Sequence, residues 1–383
     1  MANRVTRRNF LASSAAIGGL AVGASALAAC GGDEQSSSSE GGGSVWFDNW
    51  TEYIDTPDGD LYGPGGTLDT FQKETGVSIK YTEGINDNNE YFAKIQPLLA
   101  KGEPIGPNVI APTFWLAGRL LQLGWIEKLP LAQIPNAANL VTSLQKPPSD
   151  PTGEYSLPWQ SGMAGIAYNQ AVTGRELRTM DDLWDPAFKG KIGMLTEMRD
   201  TIGLIAMSLG IDLADPNQQD YQPAFAKLEE EVAKQQVRSF TGNDYIADLT
   251  NGSFAACIGW SGDVLGLDNP DIKFVIPESG GTLWFDTMVI PAGSADVDAV
   301  AKWMNFVYDP VNAARITAGA PYISPVQGVR EQLVKMGGEA AALADNPLLF
   351  PDASTLSRLQ SWGTLSDEKE QQMDEEFARI QGA

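Results

Sequence analysis

Apolar and polar positions along this chain follow two periods that take turns. Ser44-Val45-Trp46-Phe47-Asp48 reads as a strand, and Val77, Ile79 and Tyr81, separated by polar residues, read as another. Between them Thr67–Thr75 carries a helical pattern that Gly76 is placed to end. Asn108-Val109-Ile110-Ala111 is a short apolar strand, after which Thr113 is placed to cap a helix bearing Leu116, Leu120 and Leu123 and stopping at Gly124. The rhythm returns with a strand over 191–195 and an apolar helix over 202–209 closed by Gly210. Phe225, Leu228 and Val232 mark a further helix. A short helix over 244–250 ends at Asn251-Gly252 and leads into a buried strand over 254–260. Trp303, Phe306 and Val307 share one helix face before Pro310. This punctuation predicts an α/β protein with parallel sheet covered by helices. It shows no internal repeat and no coiled-coil heptad.

The ends follow a different logic. Arg4, Arg7 and Arg8 precede an apolar, small-residue stretch over 10–29, too short and too rich in Gly and Ser for a membrane span. Thr6-Arg7-Arg8-Asn9-Phe10-Leu11 resembles a twin-arginine export signal, and Leu27-Ala28-Ala29-Cys30 resembles a lipoprotein processing site. Residues 1–29 are thus expected to be a signal peptide, with Cys30 lipidated. Residues 30–44, Gly, Ser and acid with no large apolar side chain before Ser44, form a tether that cannot bury enough surface to fold. The expected location is the outer face of the cytoplasmic membrane, or the periplasm, with the lipid as the only membrane contact.

Composition narrows the chemistry. The 383 residues carry a formal charge of −23, which becomes −26 once a leader with three Arg and no acid is removed. Such a field repels nucleic acid and anionic lipid and favours cations, though general acidity also serves solubility. The chain has no histidine, so the commonest general base and metal ligand are missing. Apart from Cys30 there is only Cys257, in an apolar run, which excludes an internal disulfide and reads as a small core residue. No metal or other cofactor is implied.

In open α/β sheets ligands bind beyond the carboxyl ends of strands. Trp50 and Thr51 follow the first strand, and Thr113 and Trp115 follow the strand at 108–111. Glu197 and Asp200 follow the strand at 191–195, and Trp260 ends the one at 254–260. Trp284 and Asp286, two apart, face one side of any strand they share. Four tryptophans and three carboxylates, with no Lys among them, suit an alkyl chain bearing ammonium groups. Indole faces attract cations and cover methylenes, and carboxylates accept charge-assisted hydrogen bonds. Each residue alone has a plainer reading: a Trp as core, Glu197 and Asp200 as negative charge at a helix N-terminus.

Phe47-Asp48-Asn49-Trp50-Thr51-Glu52-Tyr53-Ile54 resembles the N-terminal strand and turn of the spermidine/putrescine-binding proteins of ABC importers. Further matches are Phe71-Gln72-Lys73-Glu74-Thr75-Gly76, Pro112-Thr113-Phe114-Trp115, Leu157-Pro158-Trp159, the run from Asp182 to Gly190, Gly281-Thr282-Leu283-Trp284-Phe285-Asp286 and Leu349-Phe350-Pro351-Asp352-Ala353. The resemblance implies a two-lobed periplasmic-binding-protein-like fold (type II) with the ligand between the lobes. One lobe would be 45–162 with 285–330, the other 163–284 with 331–383. It implies a monomer that captures a polyamine and delivers it to a permease driven by partner ATPase subunits, not an enzyme. Trp50, Thr51, Thr113, Trp115, Glu197, Asp200, Trp260, Trp284, Asp286 and Tyr322 would line the cleft. Thr113 and Trp115 stand where the family has Ser and Tyr, and Glu197 and Asp200 reverse its Asp and Glu. Ala320-Pro321 departs from the pattern beside Tyr322, and Trp362 replaces a polar Gln. Nothing resembles a nucleotide-binding loop.

Three rival readings remain on the sequence. A sugar would stack on the same tryptophans but leave three carboxylates without a counter-charge. An enzyme acting on polysaccharide through Glu197 and Asp200 would have both on one helix face rather than flanking a bond. A metal binder of similar fold lacks His and any Tyr pair in the sequence.

Overall fold

A computed structural model describes residues 43–215, 220–267, 269–363 and 365–382. The leader, Cys30 and nearly all of the tether lie outside the described residues. The chain begins β1 (Ser44–Trp50), α1 (Thr67–Thr75), β2 (Ser78–Ile85), α2 (Asn88–Leu99), β3 (Val109–Ile110) and α3 (Phe114–Gln122). The long β4 (Leu157–Asn169) leads through a one-turn α4 (Gln170–Thr173) to β5 (Ile192–Leu195), α5 (Met198–Ser208) and α6 (Gln222–Ala233). Then come β6 (Val237–Thr241), α7 (Tyr245–Asn251), β7 (Ala256–Trp260), α8 (Ser261–Leu265), β8 (Ile272–Val275) and β9 (Gly281–Met288). The chain closes with α9 (Val297–Val307), α10 (Pro310–Gly319), α11 (Val329–Met336), α12 (Gly338–Leu343), α13 (Ala353–Leu356), β10 (Leu359–Gln360) and α14 (Asp367–Gln381).

Local chemistry accounts for the elements that the periodicity marks. Gly76 ends α1 with φ 69°, a left-handed conformation that costs glycine nothing. Leu68 and Phe71 of α1, like Trp303 and Phe306 of α9, bury one helix face in the same core, where the Phe71 and Trp303 rings meet edge to face at 5.1 Å. Helix α5 starts four residues before the apolar run, because the Glu197 carboxylate accepts from the Arg199 N–H and caps it.

Two sheets organise the molecule. The order β2-β1-β3 is all parallel, as the strand–helix rhythm requires. The seven-stranded sheet, β10-β9-β4-β7-β5-β6 with β8 on β4, is mixed rather than parallel. Strand β4 runs antiparallel to β7, β8 and β9. This corrects the expectation of parallel sheet throughout, and the reason is β4, which no periodicity announced. All thirteen of its residues are buried, and Pro158, Gln160, Gly162 and Gly165 break any alternation.

The cores divide the chain into two lobes. One core gathers residues from Val45 to Trp159 and from Met288 to Ala344, with a smaller cluster around Ile95, Leu116 and Leu120 beside it. The other gathers Ala164 to Ile272 and Trp362 to Ile380, and holds the Cys257 thiol, fully buried. Strand β4 runs from the first core into the second, and β9 pairs along it. Leu333 and Ala344 pack in the first core with Phe350 against it, so the segment 331–350 lies with the first lobe rather than the second. Among the described residues no helix is long and apolar enough to cross a membrane.

Candidate functional site

Between the lobes lies a cleft of about 750 Å³, counting its mouth to solvent. Every cleft residue expected from the sequence, from Trp50 to Tyr322, lies on its walls. Trp50, at the carboxyl end of β1, is held by its indole N–H on the Ala111 carbonyl at 2.9 Å. Thr113 occupies the N-cap position of α3, but its side chain makes no cap. Its hydroxyl instead donates to Asp286 Oδ1 at 2.7 Å and accepts from Asn88 Nδ2 at 2.8 Å. Trp284 and Asp286 share the cleft face of β9, as their spacing requires. Trp284 lies flat on Gly162, its partner on β4, where any Cβ would run into the indole.

The second lobe supplies the facing wall. Asp200, buried in the first turn of α5, accepts from Trp260 Nε1 at 2.7 Å through one oxygen and from the Thr282 hydroxyl at 2.6 Å through the other. Each oxygen keeps a lone pair for a ligand. The Trp260 and Trp284 rings meet edge to face at 6.4 Å, and Trp284 packs at 5.8 Å from Tyr322. The hydroxyl of Tyr322 reaches across and donates to Asp263 Oδ1 at 2.7 Å, so the ring is fixed and its polar atom is committed.

The profile of the bacterial extracellular solute-binding protein family matches residues 67–351, most of the chain. The chain belongs to this family. The solute-binding protein is 28% identical over 319 residues to spermidine/putrescine-binding periplasmic protein 1 of Haemophilus influenzae, covering 82% of each. It is 25% identical over 316 residues to the spermidine/putrescine-binding periplasmic protein of Escherichia coli, covering 82% of this chain and 84% of that one. Among solved structures, one from Listeria monocytogenes, described as a spermidine/putrescine ABC transporter, superposes with a TM-score of 0.75 at 26% identity, covering 88% of this chain and 98% of its own. The fold is therefore the two-lobed α/β one that the resemblance implied.

Electrostatics single out three carboxyls of the binding protein. Burial pushes Asp286 up to about 7, against the Thr113 hydrogen bond, which favours its charged form. Burial pushes Glu197 up to about 8, although the Arg199 charge opposes the shift. Asp200 is raised for the same reason, against its bonds from Thr282 and Trp260. Glu197 is only half-buried, whereas Asp200 and Asp286 are each 4% exposed, so solvent moderates the rise most at Glu197. A cation placed among these carboxyls would favour their ionised forms.

Several wall residues escaped the sequence reading. Tyr53 packs edge to face on Tyr322 at 4.9 Å, and Asn88 reaches from Thr113 towards Glu197 at 3.4 Å. Trp362, which the sequence marked only as a departure from the family pattern, lines the cleft with its ring while its N–H donates to the Arg199 carbonyl at 2.8 Å. The largest correction is Arg199. The sequence set held no basic residue, yet this arginine lines the same cleft and acts on Glu197 and Asp200, 5% exposed, with its guanidinium 3.9 Å from the Trp115 ring centre. Asn88 and Tyr53 carry no sequence signal, because only the fold brings them to the cleft. Arg199 lies between Glu197 and Asp200 in the chain, and that adjacency was the one sequence signal for it.

Proposed function

We propose that the protein captures a polyamine, spermidine or putrescine, between its lobes and presents it to the permease of an ABC importer whose ATPase subunits supply the energy. The observation that carries this reading is the convergence of Glu197, Asp200 and Asp286 on one cleft walled by Trp50, Trp115, Trp260 and Trp284. Ammonium groups would meet the carboxylates, and the methylenes between them would lie on the indole rings. A neutral sugar would leave the carboxyls uncompensated. The relatives whose names declare polyamine binding lend the same support. The ligand-facing set is Trp50, Thr51, Thr113, Trp115, Glu197, Asp200, Trp260, Trp284, Asp286 and Tyr322, with Tyr322 acting through its ring. We further assign 45–162 with 285–350 to the first lobe and 163–284 with 351–383 to the second. In this reading the protein works as a monomer, tethered through lipid on Cys30 outside the cytoplasmic membrane.

One observation favours a second class of ligand. The indole N–H groups of Trp115 and Trp284 have no acceptor among the described residues. A protonated amine offers none, whereas an ω-amino acid does. Calorimetry of the mature domain with spermidine, putrescine, 4-aminobutyrate, maltose and glucose separates the classes. Saturable binding of a polyamine alone is expected. Binding of 4-aminobutyrate or a sugar without polyamine binding would replace the proposal.

A further inference from the structure

Among the described residues Arg199 is the one cation on the cleft wall, and its surroundings say what it does. It belongs to the second lobe, on the first turn of α5, but its guanidinium lies over the indole of Trp115, on α3 of the first lobe. A second hold comes from behind, where Glu370 Oε1 on α14 stands 2.9 Å from one guanidinium nitrogen. A third is the Trp362 N–H on its carbonyl. Glu370, which holds it from behind, also walls an outer groove with Phe92, Arg119 and Trp125 of the first lobe and Asp374 and Glu375 of α14.

We propose that Arg199 is a positioning residue that stays off the ligand: held by Glu370, it reaches across the cleft onto Trp115, fixing that ring and holding the lobes shut. The inference rests on the polyamine reading only for its choice of probe. Three features support it. A guanidinium is planar and weakly hydrated, so it stacks on indole where an ammonium would not lie flat. Among the described residues no hydrogen bond or ion pair joins α3 to α5, and the contact spans the two lobes, so it exists only while they are together. Its charge also falls on every carboxyl around it. It favours the ionised forms of Glu197, Asp200 and Asp374, while Asp87 opposes at Glu197, Glu370 opposes at Asp374, and Arg119 assists at Asp374. Arg199 therefore limits the upward shift that burial imposes on Glu197 and Asp200, and forms no ion pair with either among the described residues.

The test is a double-mutant cycle of Arg199→Met and Trp115→Leu, with Arg199→Lys as the conservative variant. Calorimetry with spermidine and putrescine is run from pH 6 to 8.5, and small-angle scattering is recorded on the ligand-free proteins. Each single variant is expected to bind polyamine about ten-fold more weakly at pH 7.5. The double variant should be weakened by clearly less than the product of the two single losses, because the Arg199–Trp115 contact is lost in both singles. In Arg199→Met the pH at which affinity is half-maximal should move up, and Arg199→Lys should restore that pH but not the Trp115-dependent affinity. Ligand-free Arg199→Met and Trp115→Leu should both show a larger radius of gyration than the parent. Effects that multiply in the double variant, or an unmoved pH profile and unchanged scattering, would overturn the proposal. Failure of the parent to bind any polyamine would instead overturn the ligand assignment. Scattering would then still decide the latch.

Discussion

Binding should be coupled to proton release, and the size of the coupling follows from the cleft. A protonated carboxyl offers an ammonium no charge, so the ligand binds the form with Asp286 and Glu197 ionised. In the empty protein these groups titrate at about 7 and about 8. At pH 6 the first is then ~90% and the second ~99% protonated, whereas at pH 8.5 both are mostly ionised. The two groups contribute factors of roughly 10 and roughly 80 across this range, or just under three decades in affinity. Solvent contact at Glu197 trims that towards ~100-fold. Alkyl amines titrate near lysine, around pH 10.4, and stay charged throughout. At pH 7 about half a proton leaves Asp286 and about 0.9 leaves Glu197 for each ligand bound. Titration calorimetry of spermidine in phosphate and in Tris, whose ionisation enthalpies differ, counts these protons directly. Affinity that is flat from pH 6 to 8.5, with no buffer dependence of the heat, would show that neither carboxyl meets the ligand.

The same groups act on stability with a definite sign. Asp286 and Glu197 titrate higher in the folded protein than in the unfolded chain, so their contribution is full below about pH 4 and is lost as pH rises through about 7 to 8. Asp150 and Asp182 are held low and have finished titrating by pH 5.5. The melting temperature of the ligand-free protein should therefore fall by several degrees from pH 5.5 to 8.5, and spermidine should raise it most at the alkaline end; calorimetric scans with the opposite trend would contradict this. Asp286→Asn should weaken polyamine binding by about 3–5 kcal/mol, as when a buried pair loses one partner, against about 0.5–2 kcal/mol for Trp284→Leu. Titrations of both variants at fixed salt and pH 8.5 check the order, and reversal would remove Asp286 from the ligand set. Cys30→Ala should move the protein from the detergent-soluble membrane fraction to the medium or to an uncleaved precursor, as fractionation and intact mass would show.

What was legible in the sequence was local. Gly76 after an amphipathic run locates the end of α1 because only the left-handed region is needed there. Trp284 and Asp286 declare a shared face because a strand has period two. Strand-end positions then collected the cleft without any three-dimensional knowledge. The reading stopped where a residue's role depends on a partner far along the chain. Thr113 looked like a helix cap, since a cap needs only its own next turn, yet its hydroxyl was taken by Asp286. Strand β4 was invisible because burial on both faces removes the alternation that marks a strand. Helix α14, mostly charged, gives little warning that Met373, Phe377 and Ile380 anchor it in the second core.

Strands β4 and β9 pair side by side where the chain passes between the lobes, with Gln160 opposite Asp286 and Gly162 opposite Trp284. A ribbon of two hydrogen-bonded strands bends and twists far more readily than it shears, because sliding would break its register. The lobes should therefore swing like the covers of a book about a spine, along essentially one coordinate. Trp284 and Asp286 are stitched into that spine. A guest pressing on Trp284 or Asp286 thus acts at the pivot with almost no lever arm, and the torque that shuts the covers must come from contacts at their outer edges.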